Sequence, residues 1–235
     1  MKRKILTILF AFAVCGVQAQ WSLRTYAEYD YTRTSGSTGS LAVFGDCQLR
    51  DSFRMSFGLK ASLTQPYAFN MMWQSDVYEG KKGTLYIENR YLYRLFPKYK
   101  LQEFSAALDL GYRTRHFNFH LGLFSRYTAE IPLRVNGGMG TIFEPMNIYY
   151  SVEGNIFAQS HPWNIGARVS NYDDFVIERV TLFRYYLIGY YRLNENLKLT
   201  GEVCLHPSGT LNLSSQYNGL SARVGIVWNP KKETK

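Results

Sequence analysis

Leu197-Lys198-Leu199-Thr200-Gly201-Glu202-Val203-Cys204-Leu205 alternates between apolar and polar side chains. Leu197, Leu199, Val203 and Leu205 fall on one face; Lys198, Thr200, Glu202 and Cys204 fall on the other. Successive side chains of a strand point to opposite sides, so this stretch makes one face for hydrocarbon and one for water or ion pairs. The same pattern recurs upstream, where Phe53, Met55, Phe57, Leu59, Ala61 and Leu63 interleave with Arg54, Ser56, Gly58, Lys60 and Ser62. Six successive matches to a two-residue period argue strand and not helix.

An export signal precedes these segments. Lys2, Arg3 and Lys4 form a positive start, residues 5–17 a short apolar stretch, and Val17-Gln18-Ala19 an acceptable cleavage site. Residues 1–19 are therefore read as a signal peptide, 20–228 as one folded unit and 229–235 as a short basic tail. The apolar stretch is shorter than the roughly 20 residues a membrane-spanning helix needs, and no longer apolar run follows it. The chain of 235 residues carries 19 Tyr, 15 Phe and 4 Trp. Such amphipathic rings suit the two interfaces of a membrane as girdles.

Three of the 27 basic residues leave with the signal, which lowers the net charge from +9 to about +6. A basic balance raises nucleic acid as a partner, but export and the scattered placement of the charges argue against it. Cys47 follows the parity of Leu41, Val43 and Leu49 and is expected on the lipid face. Cys204 shares the face of Lys198 and Glu202, so the two thiols are expected to stay unbridged.

Eleven strands are read directly: residues 21–33, 41–50, 53–63, 84–96, 104–112, 117–127, 147–158, 163–171, 180–193, 197–205 and 219–228. Residues 65–83 read as the longest irregular stretch, with 71–78 as a short-strand alternative. Single-chain bacterial barrels have an even strand number. The expected fold is thus all-β, a single transmembrane antiparallel up-and-down β-barrel of about 12 strands, with 10 as runner-up. Residues 129–135 and 209–217 are the candidates for the missing strand.

Over residues 21–228 the chain resembles the outer-membrane β-barrel proteins of gram-negative bacteria, in particular uncharacterised porin-like members. Strand pattern and export signal carry the resemblance; the segments 88–96 and 175–179 add to it without pointing to an activity. It implies an outer-membrane location, with membrane lipid, the barrel-assembly machinery and small ions or solutes as partners. Such barrels often end on an aromatic residue; here Trp228 holds that place, with seven residues after it.

Parity assigns to the lumen Arg24, Glu28, Arg54, Lys60, Glu88, Arg90, Arg94, Asp109, Arg126, Arg168, Glu202 and Arg223 as selectivity candidates. Arg50, Arg184, Arg192, Lys198, Asp30, Asp46, Glu103 and Glu153 join them. Charges of mixed sign in a confined space pair with one another. The expectation is a narrow porin-like channel or a structural barrel with a salt-bridged lumen. Two alternatives belong to other classes. One is a rim hydrolase acting on lipid, with His120 or His206 as base. The other is a subunit of an envelope complex, with 65–83 as its contact loop. Asp173-Asp174 reads as a turn and not as a protease-like carboxylate pair. No metal, phosphate-loop or nucleotide motif occurs, and no cofactor is expected.

Overall fold

The computed structural model describes residues 20–33, 36–62, 67–130, 141–158, 161–180, 182–208 and 216–230. The expected signal peptide and the last five residues of the tail lie outside them. Twelve antiparallel strands close on themselves: β1 (Gln20–Thr32), β2 (Gly36–Arg50), β3 (Phe53–Ser62), β4 (Tyr67–Gly80), β5 (Gly83–Phe96), β6 (Leu101–Arg113), β7 (Phe117–Glu130), β8 (Ile142–Asn155), β9 (Trp163–Ser170), β10 (Arg184–Arg192), β11 (Leu197–Ser208) and β12 (Gln216–Trp228). Each strand pairs with its chain neighbours, and β1 pairs with β12 from Leu23↔Trp228 to Thr32↔Gly219. Closure leaves no free sheet edge, which is the condition for a sheet to cross a bilayer.

The alternation resolves into an apolar outside and a polar inside. Leu41, Leu59, Leu121 and Val224 are half or more exposed outward, whereas Phe44, Tyr86 and Tyr149 are buried inward. Trp21, Tyr112, Phe117, Trp163, Tyr191 and Trp228 ring the end that holds both termini. Tyr29, Tyr31, Tyr67, Tyr93, Tyr127 and Tyr185 ring the other end. Two inward rings lie flat over glycines of the neighbouring strand. A Cβ on Gly58 would stand 2.2 Å from the Phe44 ring, and one on Gly111 2.2 Å from Tyr86. Only glycine lets these rings turn along the wall.

The twelfth strand is β4, which contains the short-strand alternative over 71–78 and extends it in both directions, and is not at residues 129–135 or 209–217. Residues 131–140 and 209–215 lie outside the described residues. In β4 the inward positions Ala68, Asn70, Met72 and Gln74 carry no charge, so the contrast with outward Tyr67, Phe69, Met71 and Trp73 is weak. A bulge between Asp76 and Tyr78 then shifts the parity. With β4 in the wall, the contact loop of an envelope-complex subunit is not a loop. Cys47 keeps its outward parity but is buried between its cross-strand neighbours Trp21 and Met55. A bulge at Gln48/Arg50 pairs Arg50 with outward Phe53 and takes it off the lumen face. Finally, β10 begins at Arg184, so the strand expected over 180–193 starts four residues late.

Candidate functional site

Between β9 and β10 the chain does not turn over the rim. Residues 171–178 fold into the barrel as a small hairpin, with a bridge between Tyr172 and Ile177. Asp173 N–H donates to the Val176 carbonyl at 2.8 Å, and Glu178 N–H to the Asn171 carbonyl at 2.7 Å. The Asp173 carboxylate caps the turn by accepting from the N–H groups of Phe175 (2.8 Å) and Val176 (3.0 Å). Asn171 anchors the base: its amide donates to the carbonyls of Ile148 and Glu178, and its oxygen accepts from Tyr150 N–H.

This inward segment spans the lumen between two apolar clusters. Tyr172 and Ile177 pack with Leu92, Ala107, Phe124 and Tyr149 on the β5–β8 wall. At the tip, Phe175 packs with Tyr26, Ala42, Phe44 and Ala68 on the β1–β4 wall, its ring 5.1 Å from that of Phe44. Burying one such ring stabilises the docked state by about 1.5–3 kcal/mol.

Between the clusters runs a charged clamp. Arg184 reaches Asp173 at 3.2 Å and Glu178 at 3.1 Å. Arg223 donates to Glu28 at 2.6 Å and to Asp174 at 3.1 Å, and lies 3.3 Å from Glu202. Its guanidinium also sits over the Tyr26 ring at 4.2 Å. Lys60 pairs with Glu28, and Arg24 stands 3.6 Å from both Asp46 and Asp174. The walls hold the segment's backbone as well. Arg90 donates to the Asp173 carbonyl at 3.0 Å, Asn70 to the Asp174 carbonyl and Arg126 to the Ile177 carbonyl. Burial alone would raise the Asp173 carboxyl; Arg184, Arg223 and Lys60 outweigh it and hold it well below the usual carboxylate range. Asp174 is lowered as well, burial again being outweighed by Arg24 and Arg223.

All twelve selectivity candidates lie on inward positions, but they form several groups. Arg24, Lys60, Arg90, Arg126 and Arg223 reach the inward segment, and Glu28 is tied to it through Lys60 and Arg223. Arg94 pairs with Glu103 at 2.7 Å, Arg168 with Glu202 at 2.9 Å, and Glu88 with Arg90 at 2.6 Å. Arg54 lies near the end with the termini, beside Asp76 and Arg113.

Glu88, Asp109 and His120 bring possible ligand atoms within 4.8 Å of one another. They are already committed: Glu88 to Arg90, and His120 Nδ1 to Asp109 at 3.1 Å. His120 Nε2 faces the Tyr86 hydroxyl at 2.8 Å and the Asn118 amide at 3.0 Å. The other candidate base, His206, has Nε2 3.2 Å from the Ser221 hydroxyl. Among the described residues no carboxylate orients its second nitrogen, and the pair faces the lumen instead of the lipid rim.

Two cavities flank the inward segment. The one toward the termini, about 490 Å³, is lined by Arg24, Arg168, Lys198 and Arg223 against Glu153, Asp174 and Glu202. The one toward the opposite mouth, about 350 Å³, is lined by Lys60, Arg94 and Arg184 against Glu28, Asp30, Asp173 and Glu178. The first has one more cation than anions; the second has one more anion than cations, with His206 beside it. In the first, Lys198 holds its ammonium 4.7 Å over the Tyr190 ring and forms no ion pair among the described residues.

No protein-family model matches the sequence, and no curated protein matches it. Solved structures do resemble the fold. The NanC porin superposes with a TM-score of 0.60 at 9% identity, over 88% of this chain and all of that one. The KdgM porin in complex with disordered oligogalacturonate gives 0.56 at 12% identity, over 89% and 99%. The outer membrane protein Omp33 of Acinetobacter baumannii gives 0.53 at 10% identity, over 92% and 100%. The chain therefore has the twelve-stranded fold of small outer-membrane porins.

Proposed function

We propose that the protein is a narrow outer-membrane channel for small ions or solutes in a gram-negative envelope, with a preference for anions set by the cavity toward the termini. The observation that carries this reading is the pair of polar, charge-lined cavities separated by a single segment of eight residues. A barrel serving only as a wall has no need of hydrated space on both sides of a plug. Twelve strands also fall between the eight that leave a filled interior and the 16–18 that leave an open channel.

Turns at the end with the termini are short, as at 51–52, 81–82 and 114–116. Short turns mark the periplasmic side, so the inward segment enters from the outside. A solute coming from there meets the slightly acidic cavity first, then passes the segment, then meets Arg168 and Lys198. The acidic sugar named with the KdgM porin is a solute of the charge sign favoured here. Membrane lipid and the barrel-assembly machinery are the further partners of this reading.

Conductance of the refolded mature protein in a planar bilayer under a salt gradient tests it. Discrete steps with a reversal potential favouring anions are expected, and Lys198→Gln should reduce that preference. A protein shown to be folded by its gel shift, yet silent at every voltage, overturns the channel and leaves a salt-bridged structural barrel.

A further inference from the structure

On the outer face, Asn89 places a carboxamide among apolar neighbours. Asn89 stands midway along β5 and pairs with Trp73 on β4 and Leu108 on β6, both outward positions. Leu108 is 53% exposed there. The Asn89 carboxamide therefore faces lipid near the middle of the hydrocarbon layer. Among the described residues it has no hydrogen-bond partner. Ser125, the neighbouring polar residue on this face, does have one, the Pro145 carbonyl.

Beside Asn89 the outer surface is indented by a groove of about 220 Å³. Ala106, Tyr91, Leu123 and Met146 line it together with Asn89. Met146 is the most exposed large apolar residue among the described residues, at 69%.

We propose that this face is a homodimer interface, with two Asn89 side chains paired at its centre. An unmet carboxamide in hydrocarbon is costly, and neither water nor a lipid headgroup reaches this depth. Acyl chains have no donor or acceptor to offer, so the covering surface must be protein. Copies inserted in one direction are related by an axis along the membrane normal, so equivalent residues meet at equal depth. A carboxamide has both a donor and an acceptor. Two of them across a two-fold axis satisfy each other through reciprocal N–H···O bonds. The Ala106 groove then takes up apolar side chains of the second copy, which brings the two walls close enough for the amides to bond.

Subunit counting by single-molecule photobleaching tests this, using mature protein refolded into phosphatidylcholine vesicles over a series of dilutions. Wild type is expected to show a dimer that dissociates on dilution. Asn89→Leu should weaken it roughly tenfold, the scale of one or two membrane hydrogen bonds, and Asn89→Gln should recover part of the loss. Ala106→Trp, which fills the groove and leaves the amide in place, should abolish the dimer. Asn89→Leu makes the lipid face more apolar, so a gel shift like that of wild type separates lost association from lost folding. Wild type that is monomeric at every dilution, or a dimer indifferent to both Asn89→Leu and Ala106→Trp, overturns the proposal.

Discussion

Leu199 and Val203 on β11 face lipid because a two-residue period puts them there. Phe175, among the most buried residues of the chain, lies in a stretch with no period at all. The wall is specified locally, each strand by its own alternation and each register by the strand beside it. The inward segment is specified at long range. Its partners Tyr26, Asn70, Arg90, Arg126 and Arg223 lie on five different strands, 49 to 148 residues away in the chain. A wall can be changed one outward residue at a time, whereas a plug of this kind depends on a few convergent groups.

The largest separation of the two regions is expected at Arg223. Arg223→Met leaves Glu28, Asp174 and Glu202 without their shared guanidinium, and removing one partner of a buried ion network costs about 3–5 kcal/mol. Urea unfolding in lipid or detergent should show a loss of that size, together with more open-channel current. A loss below about 1 kcal/mol would mean the clamp is hydrated and weak.

Phe175→Ala should act on the plug alone. Truncating a buried Phe costs about 3–5 kcal/mol when the site cannot collapse. A hairpin tip can undock instead, so the expected outcome is unchanged global unfolding with a raised or flickering conductance. Equal losses in both readouts would instead make the segment part of the wall's own core.

Acid should sharpen the contrast more gently. The Asp173 carboxyl is held below its unfolded value of about 3.9. Its contribution is therefore complete above that value and is lost only as pH falls through the lower, folded one. The docked segment should survive unchanged from pH 7 to about pH 4 and release only in stronger acid. Current recorded against pH checks this, and opening between pH 5 and 6 would refute it. The smallest effect on stability is expected at Lys198→Gln, a change near zero in unfolding that shows only in ion selectivity.

How far the sequence could be read follows from the same contrast. Eleven strands were legible because charge and hydrocarbon alternate within each. β4 was legible only as a short alternative over 71–78, since Asn70, Met72 and Gln74 face the lumen without charge and Pro66 and Gly80 frame the stretch like a loop. The lumen charges were legible by parity, except at Arg50, where a bulge reverses it. The inward segment was hidden behind Tyr172-Asp173-Asp174, which has the composition of an ordinary turn. The one available signal was Phe175-Val176-Ile177, three apolar residues where a solvent-exposed loop would carry polar ones. Which strands they would meet is a property of the closed barrel and has no local signature.

In the proposed channel, residues 171–178 are the resistance, and the wall stands without them. Replacing residues 172–178 with a short Gly-Ser turn and recording single-channel conductance tests this most directly. The prediction is a barrel that still shows its gel shift and conducts severalfold more current than wild type, with weaker ion preference. A folded variant with wild-type conductance would contradict it and place the constriction elsewhere along the wall.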